Sequence, residues 1–275
     1  MYDKIHPESL DQYYINKLFI KTISQISKDK PVILDIGCGT GNYAKYFIRC
    51  FPNGILWAND ISGEMLKVFK SKIKANPYVR FLPMPVERLF NEFPEINYDI
   101  VCAEGSLHHL EYPAKIIEKI TEHLNAGGVI IIFSEPFLNL KKSAMIPRYI
   151  DNILIALISG RVKFKTLKGK ILSPFLFLGS LIFSRIYKLM CPEKYKIIVE
   201  SQHNLLLKDD KVEKMLSASE THGNGIDKDL IKKVLSAQNM KIIKEQNGAG
   251  YYFYLSYLLS YCFGATHFSL VAVKQ

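Results

Sequence analysis

An α/β fold built on a seven-stranded, mainly parallel sheet with helices on both faces is what this 275-residue sequence predicts. Three observations carry that expectation. The stretch VILDIGCGTGNYA at residues 32–44 compresses a short apolar run, an acid, three alternate glycines and a helical pattern into one unit. Apolar runs and helical stretches then alternate, as repeated strand-helix units require. Finally, 48% hydrophobic content excludes a disordered chain, and the length allows one large core with an accessory lobe.

The first unit reads as strand, glycine loop, helix. Residues 32–34 follow Pro31 as a strand covered on both faces. Gly37, Gly39 and Gly41 let the backbone turn sharply and approach a ligand where a Cβ would clash. Residues 42–50 resume with Tyr43, Phe47 and Cys50 on one side, so the loop opens a helix whose free N–H groups face that ligand. Cys38 lies inside the loop.

Two ligand types suit such a loop. Gly39, Gly41 and Ala44 match the G-x-G-x-x-A pattern of dinucleotide sites, whose ligand would be a nicotinamide cofactor. Asp35, two residues before Gly37, would crowd a pyrophosphate with like charge, but suits a ligand bearing an amino group.

The second unit begins after the Asn53-Gly54 turn. Residues 55–57 form a strand, Asp60 ends it, and a helix over 62–74 starts with Ser62 as its N-cap. An acid at this strand tip can accept both ribose hydroxyls, which makes Asp60 the ribose ligand and puts Ile61 beside the adenine as an apolar wall. Residues 79–82 are a third strand. Pro83, Met84, Pro85 and Val86 then either close the core as an apolar loop or bring the Val86 N–H to the adenine, with Glu87 in the polar role. Residues 98–103 are a fourth strand, running into AEGSLHHL, and Pro113 starts a helix that continues to 124. Asn125, Ala126, Gly127 and Gly128 make a turn, and the β-branched run at 129–133 is a fifth strand. A helix over 228–238 and strands at 240–245 and 267–273 complete the pattern.

DIGCGTG, Asp60, YDIVCAEGSLHHL and the AGG turn before the fifth strand, occurring in this order, resemble the motifs of the class I methyltransferases that use S-adenosylmethionine, of the small-molecule type. The resemblance covers about residues 30–136 and implies a Rossmann-like methyltransferase fold with a largely helical insertion after the fifth strand. It divides the chain into a cofactor-binding core at 1–136, a basic and apolar lid or substrate region at 137–226, and a return to the core at 227–275 with an apolar insertion near 248–266. By that resemblance Asp35, Gly37, Cys38, Gly39, Gly41, Asp60, Ile61, Val86 and Glu104 form the S-adenosylmethionine site. The sequence departs from the family at Pro85, where an acid usually holds the adenine amino group. That departure supports an alternative reading, a sensor or partner subunit that binds the cofactor without catalysis.

Methyl transfer requires the acceptor to be placed and, where needed, deprotonated. Residues past the fourth strand face that spot, so Glu104, Ser106, His108 and His109 are candidates, with the histidines as bases and Glu135 orienting substrate. His222, in the ETHGNGI loop, is a further candidate base. The histidines and cysteines show no metal-ligand spacing. The five cysteines, without a C-x-x-C pair, and the lack of a signal-peptide pattern suggest a reduced cytoplasmic setting.

The net charge of +10 is concentrated: residues 141–200 hold 12 Lys and Arg against 3 Asp and Glu. The basic run from Arg161 to Lys170 is followed by ILSPFLFLGSLIF, and GYYFYLSYLLSYCFG lies between the last two strands; each apolar run is shorter than the roughly 20 residues that span a bilayer. Either the basic run binds anionic headgroups at the inner membrane surface while Phe175, Phe177, Leu181 and Ile182 dip into the interface, or these residues line a pocket for a bulky, lipid-like acceptor or a dimer contact. A nucleic-acid substrate is disfavoured. No RNA-binding module is present, and AEGSLHHL stands where nucleobase-modifying relatives carry Asn-Pro-Pro-Tyr or Asp-Pro-Pro-Tyr. An oxygen or carbon acceptor is left. Tyr13 and Tyr14, in a first helix around 8–27, are candidates to close over the cofactor.

Overall fold

A computed structural model of the chain describes residues 23, 28–73, 76–138, 225–248 and 267–275. The seven strands expected from the sequence form one sheet: β1 (Val32–Ile36), β2 (Ile55–Asn59), β3 (Val79–Leu82), β4 (Tyr98–Glu104), β5 (Leu124–Pro136), β6 (Met240–Gly248) and β7 (His267–Lys274). Their spatial order is β3-β2-β1-β4-β5-β7-β6. β1 to β5 are mutually parallel, and β7 runs antiparallel to both of its neighbours. The order reverses between β1 and β4, which opens a crevice at the carboxyl ends of those strands.

Among the described residues the α-helices are α1 (Ala44–Cys50), α2 (Gly63–Lys72), α3 (Val86–Glu92), α4 (Pro113–Glu122) and α5 (Lys228–Ala237). Strand alternation divides the core between two faces. On one, Leu34, Val101, Ile130 and Leu270 pack against Leu89 of α3, Ile117 of α4 and Leu235 of α5. On the other, Ile33, Cys102, Ile131 and Val271 pack against Phe47 of α1 and Phe69 of α2. Side chains buried on both faces explain why β1, β2, β4 and β5 read in the sequence as continuous apolar runs.

Element ends depart from expectation where local polar chemistry intervenes. Ser62 does cap α2, its hydroxyl accepting from Met65 N at 3.3 Å. α4 stops at Glu122, two residues early, and β5 begins at Leu124. Tyr98 lies opposite Leu124 and Ile100 opposite Val129, so the Asn125–Gly128 turn bulges out of the ladder, with Gly127 at φ 72°.

That bulge is held by Asp99 at the amino edge of the sheet. Its Oδ2 accepts from Val32 N at 2.8 Å, and its Oδ1 accepts from Lys28 Nζ at 2.6 Å and Asn125 Nδ2 at 2.7 Å. One carboxylate thus joins the start of β1, β4 and the entry to β5. Burial pushes Asp99 upward, but the hydrogen bonds from Lys28, Val32 and Asn125 outweigh it and hold the group below the usual carboxyl range.

At the opposite edge, the ends of the large insertion meet. Leu138 N donates to Ile226 O at 2.9 Å and Ile226 N donates to Pro136 O at 2.7 Å. Pro136 pairs with His267, and His267 with Gly248. Residues 139–224 and 249–266 therefore both leave the described core at its carboxyl edge. The basic and apolar segments with Phe175, Phe177, Leu181 and Ile182, as well as His222, Tyr13 and Tyr14, all lie outside the described residues. No helix among the described residues is long and apolar enough to cross a membrane.

Replacing Asp99 with Ala is expected to cost about 2–4 kcal/mol in urea denaturation, because Val32 N loses its acceptor and two cationic or amide donors lose theirs. The contribution is present above the ordinary carboxyl value of 3.8 and is lost as pH falls below it. The variant should therefore lose less stability than the parent on acidification.

Candidate functional site

The crevice is built from the ends of β1, β2, β3 and β4. Ser106 Oγ donates to Ile36 O at 2.8 Å and ties the β4 loop to the last residue of β1. From there the glycine loop is held to β2: Cys38 N donates to Asn59 O at 2.9 Å, and Gly39 N to Asp60 Oδ2 at 2.8 Å. Asn59 Nδ2 donates to Leu82 O at 3.1 Å and Met84 O at 2.8 Å, extending the connection to the loop after β3.

The glycines serve different purposes. All three have positive φ, 63° at Gly37, 52° at Gly39 and 81° at Gly41, where other residues are strained. A Cβ on Gly37 would lie 2.5 Å from Ser106 Cβ, and one on Gly41 would lie 2.3 Å from the Phe69 ring. Of the three, Gly39 is the one whose added Cβ would meet nothing within 4 Å among the described residues. Close approach to a ligand is therefore the role open to Gly39, whereas Gly37 and Gly41 are glycine because protein packs against them.

Negative charge collects around this loop. Asp35 is 2% exposed, and its Oδ2 has no hydrogen-bond partner among the described residues. Burial, then the nearby carboxylates of Glu104 and Asp60, push its carboxyl well above the usual range. Asp60 is also pushed up by burial, opposed by the N–H groups of Ser62 and Gly39. Burial, then Asp35 and Asp60, push the Cys38 thiol up, which disfavours its thiolate. An unpaired buried carboxyl beside two others fits a cationic ligand and repels a phosphate. A ligand carrying an ammonium and a sulfonium meets that requirement, and the residues present fit S-adenosylmethionine. The three carboxyls do not amount to a metal site: no such group of ligands occurs among the described residues.

The remaining expected residues are arranged around this charge. Asp60 sits at the tip of β2, its Oδ1 accepting from Ser62 N at 2.8 Å. Ile61 beside it is 69% exposed, an unusual state for an isoleucine and one that suits an apolar wall. Val86 begins α3 with its side chain 3% exposed in the core, so only its first-turn N–H can serve a ligand. Glu87 is exposed. Pro85 occupies the N-cap of α3 without a side-chain hydrogen bond.

After β4, His108 and His109 occupy a short 3-10 turn (Leu107–His109), their ring centroids 3.9 Å apart. Ser106 is buried and engaged with Ile36. Glu135, expected to orient substrate, is wholly buried and binds the loop instead. Its Oε1 accepts from Ser106 N and Leu107 N, both at 2.9 Å, and its Oε2 lies 3.2 Å from His108 N and 2.9 Å from His108 Nδ1. Asn59 was not singled out by the sequence, although a polar residue closing an apolar strand was its available signal.

Residues 34–132 match the family model described as a methyltransferase domain. A malonyl-acyl-carrier protein O-methyltransferase of Halalkalibacterium halodurans is 31% identical over 107 residues, which are 38% of this chain and 40% of that protein. A ubiquinone/menaquinone biosynthesis C-methyltransferase of Bordetella avium is 29% identical over 104 residues, 36% of this chain and 39% of that one. The chain thus matches about two fifths of the length of these curated relatives. Among solved structures, the CurJ carbon methyltransferase aligns with 94% of this chain and 53% of its own, at a TM-score of 0.50 and 14% identity, a likeness of fold.

Gly41→Ala is expected to cost about 2–4 kcal/mol, since the ring of Phe69 must move and the backbone is strained. Gly39→Ala should cost about 1 kcal/mol, from backbone strain alone. Urea denaturation of the two variants checks the order.

Proposed function

With residues 34–132 belonging to the class I, S-adenosylmethionine-dependent methyltransferases, we propose that this chain transfers a methyl group to oxygen or carbon of a small or lipid-like acceptor. The observation that carries the reading is the buried, unpartnered Asp35 Oδ2 among the carboxyls of Asp60 and Glu104. When bound, S-adenosylmethionine supplies a methyl group on a cationic sulfur, which leaves as a neutral thioether.

The chain's own residues then bind and orient. Asp35 receives the ammonium of the amino acid portion, Gly39 admits it without a Cβ, and Cys38 and Glu104 line the cavity. Asp60 has one carboxylate oxygen on Gly39 N and the other on Ser62 N, and each retains a lone pair for a ribose hydroxyl. Ile61 covers the adenine and the Val86 N–H meets its edge, standing in for the acid that Pro85 replaces. Gly37 and Gly41 contribute by fixing the loop. His108 and His109, past β4, are the bases within the described residues; His222 belongs to the insertion.

The acceptor class is inferred from where the insertions start. Both leave the core at the carboxyl edge, beside the crevice, and both are rich in apolar residues, one with most of the chain's excess positive charge. A lipid-like molecule, or one held at an anionic membrane surface, suits that composition. A nicotinamide cofactor does not suit the site, because its pyrophosphate would lie against Asp35 and Asp60.

Calorimetric titration should show saturable binding of S-adenosylmethionine and none of NADH over the same range. Asp60→Ala is expected to weaken S-adenosylmethionine at least about tenfold, the loss of a charge-assisted hydrogen bond or more. Equal affinity of the variant, or tighter binding of NADH, would contradict the reading.

A further inference from the structure

We propose that Glu135 is a positioning residue that fixes His108 with Nδ1 protonated and Nε2 as the free base, and that the acceptor is consequently one that loses a proton, a hydroxyl or an acidic carbon rather than a carboxylate. This rests on the methyltransferase reading for its second half only.

The backbone is bent to aim Glu135. Along β5, Ile130 and Ile132 face the core of α3, α4 and α5, whereas Ile131 and Phe133 face the core of α1 and α2. Simple alternation would put Glu135 with Phe133. Instead the pairing with β7 slips between Ile132, opposite Leu270, and Glu135, opposite Phe268, and Ser134 takes a left-handed φ of 53°. Opposed residues in a ladder share a face, so Glu135 joins Phe268, Leu270 and Ile132. A non-glycine residue in that conformation is strained. The bulge is thus a device that re-aims one side chain at the end of a strand.

What Glu135 meets there is the loop from Ser106 to His108. Three backbone N–H groups donate to it, at 2.9, 2.9 and 3.2 Å, and its second oxygen is 2.9 Å from His108 Nδ1. A carboxylate accepts only, so the hydrogen between it and the ring belongs to Nδ1. Neutral His108 then has its lone pair on Nε2, and the positive ring formed on protonation stays beside a buried carboxylate. The His108 side chain is 16% exposed, enough to exchange that proton. An acceptor already ionised as a carboxylate needs no such base. For a hydroxyl, the proton passes to Nε2, the oxygen's electron pair takes the methyl, and the pair of the broken carbon–sulfur bond stays on sulfur.

The tautomer is read without cofactor or acceptor, from long-range proton–nitrogen NMR of the full chain with ring-labelled histidine, His108 being assigned by its loss in His108→Gln. An unprotonated Nε2 in the parent, shifting toward protonated Nε2 in Glu135→Gln, is the expected result. A protonated Nε2 in the neutral parent ring overturns the assignment, even if Glu135→Gln fails to fold. For the acceptor, an extract is incubated with the chain and methyl-labelled S-adenosylmethionine, then treated with mild alkali. Label that resists alkali, and that falls about 100-fold with His108→Gln, is expected. Label released as methanol, the signature of a methyl ester, overturns the acceptor class. No transfer at all overturns it together with the methyltransferase reading, while the tautomer still stands or falls on the spectrum.

Discussion

A carboxyl group buried at the end of β1 without a partner for one of its oxygens is the constraint around which this site is organised. Asp35 cannot ionise there cheaply, because water is excluded and two further carboxyls lie nearby. Among the described residues, Cys38 N goes to Asn59 O, Gly39 N to Asp60 and Gly41 N to Cys38 O, and Ser106 turns its hydroxyl to Ile36, so none of these donors reaches Asp35 Oδ2. The loop is therefore rigid, preorganised and short of positive charge. A cationic ligand suits such a loop better than a pyrophosphate, which a glycine pattern alone does not distinguish.

The two faces of the sheet divide the work. Asp35, opposite Cys102 and Ala58, lies on the face of α1 and α2, where the charge for the methyl donor is assembled. Glu135 lies on the other face and governs the loop after β4. Ser106 belongs to both systems, since its hydroxyl holds β1 and its N–H holds Glu135. The two hydrogen-bond systems meet in that residue. Asp99 keeps the same strands in register from the opposite edge, so the crevice rests on a fixed sheet.

Much of this was legible in the sequence, for physical reasons that also explain what was not. Strands covered on both faces announce themselves as apolar runs, and Pro113, Ser62 and Gly127 mark boundaries through local backbone chemistry. The places of Asp60 and Ile61 were readable because both follow directly from the end of a strand. The separate reasons for Gly37 and Gly41 were not, since Ser106 and Phe69 are distant in sequence and only folding brings them there. Glu135 was expected to orient substrate because it follows the fifth strand, and nothing in the sequence marks the bulge that turns it to the loop after β4. Asp99 looked like one polar residue in an apolar strand, its partners being up to 71 residues away.

Proton release on binding measures the central claim most directly. Burial and the neighbouring carboxyls of Glu104 and Asp60 push Asp35 upward, so a cation placed against it should drive out its proton. Titrating S-adenosylmethionine calorimetrically in buffers of different ionisation heat, across mildly acid to neutral pH, gives the number of protons exchanged. The account predicts saturable binding with net proton release that disappears in Asp35→Asn. Saturable binding with no proton release at any pH, or with release unchanged in that variant, would contradict it.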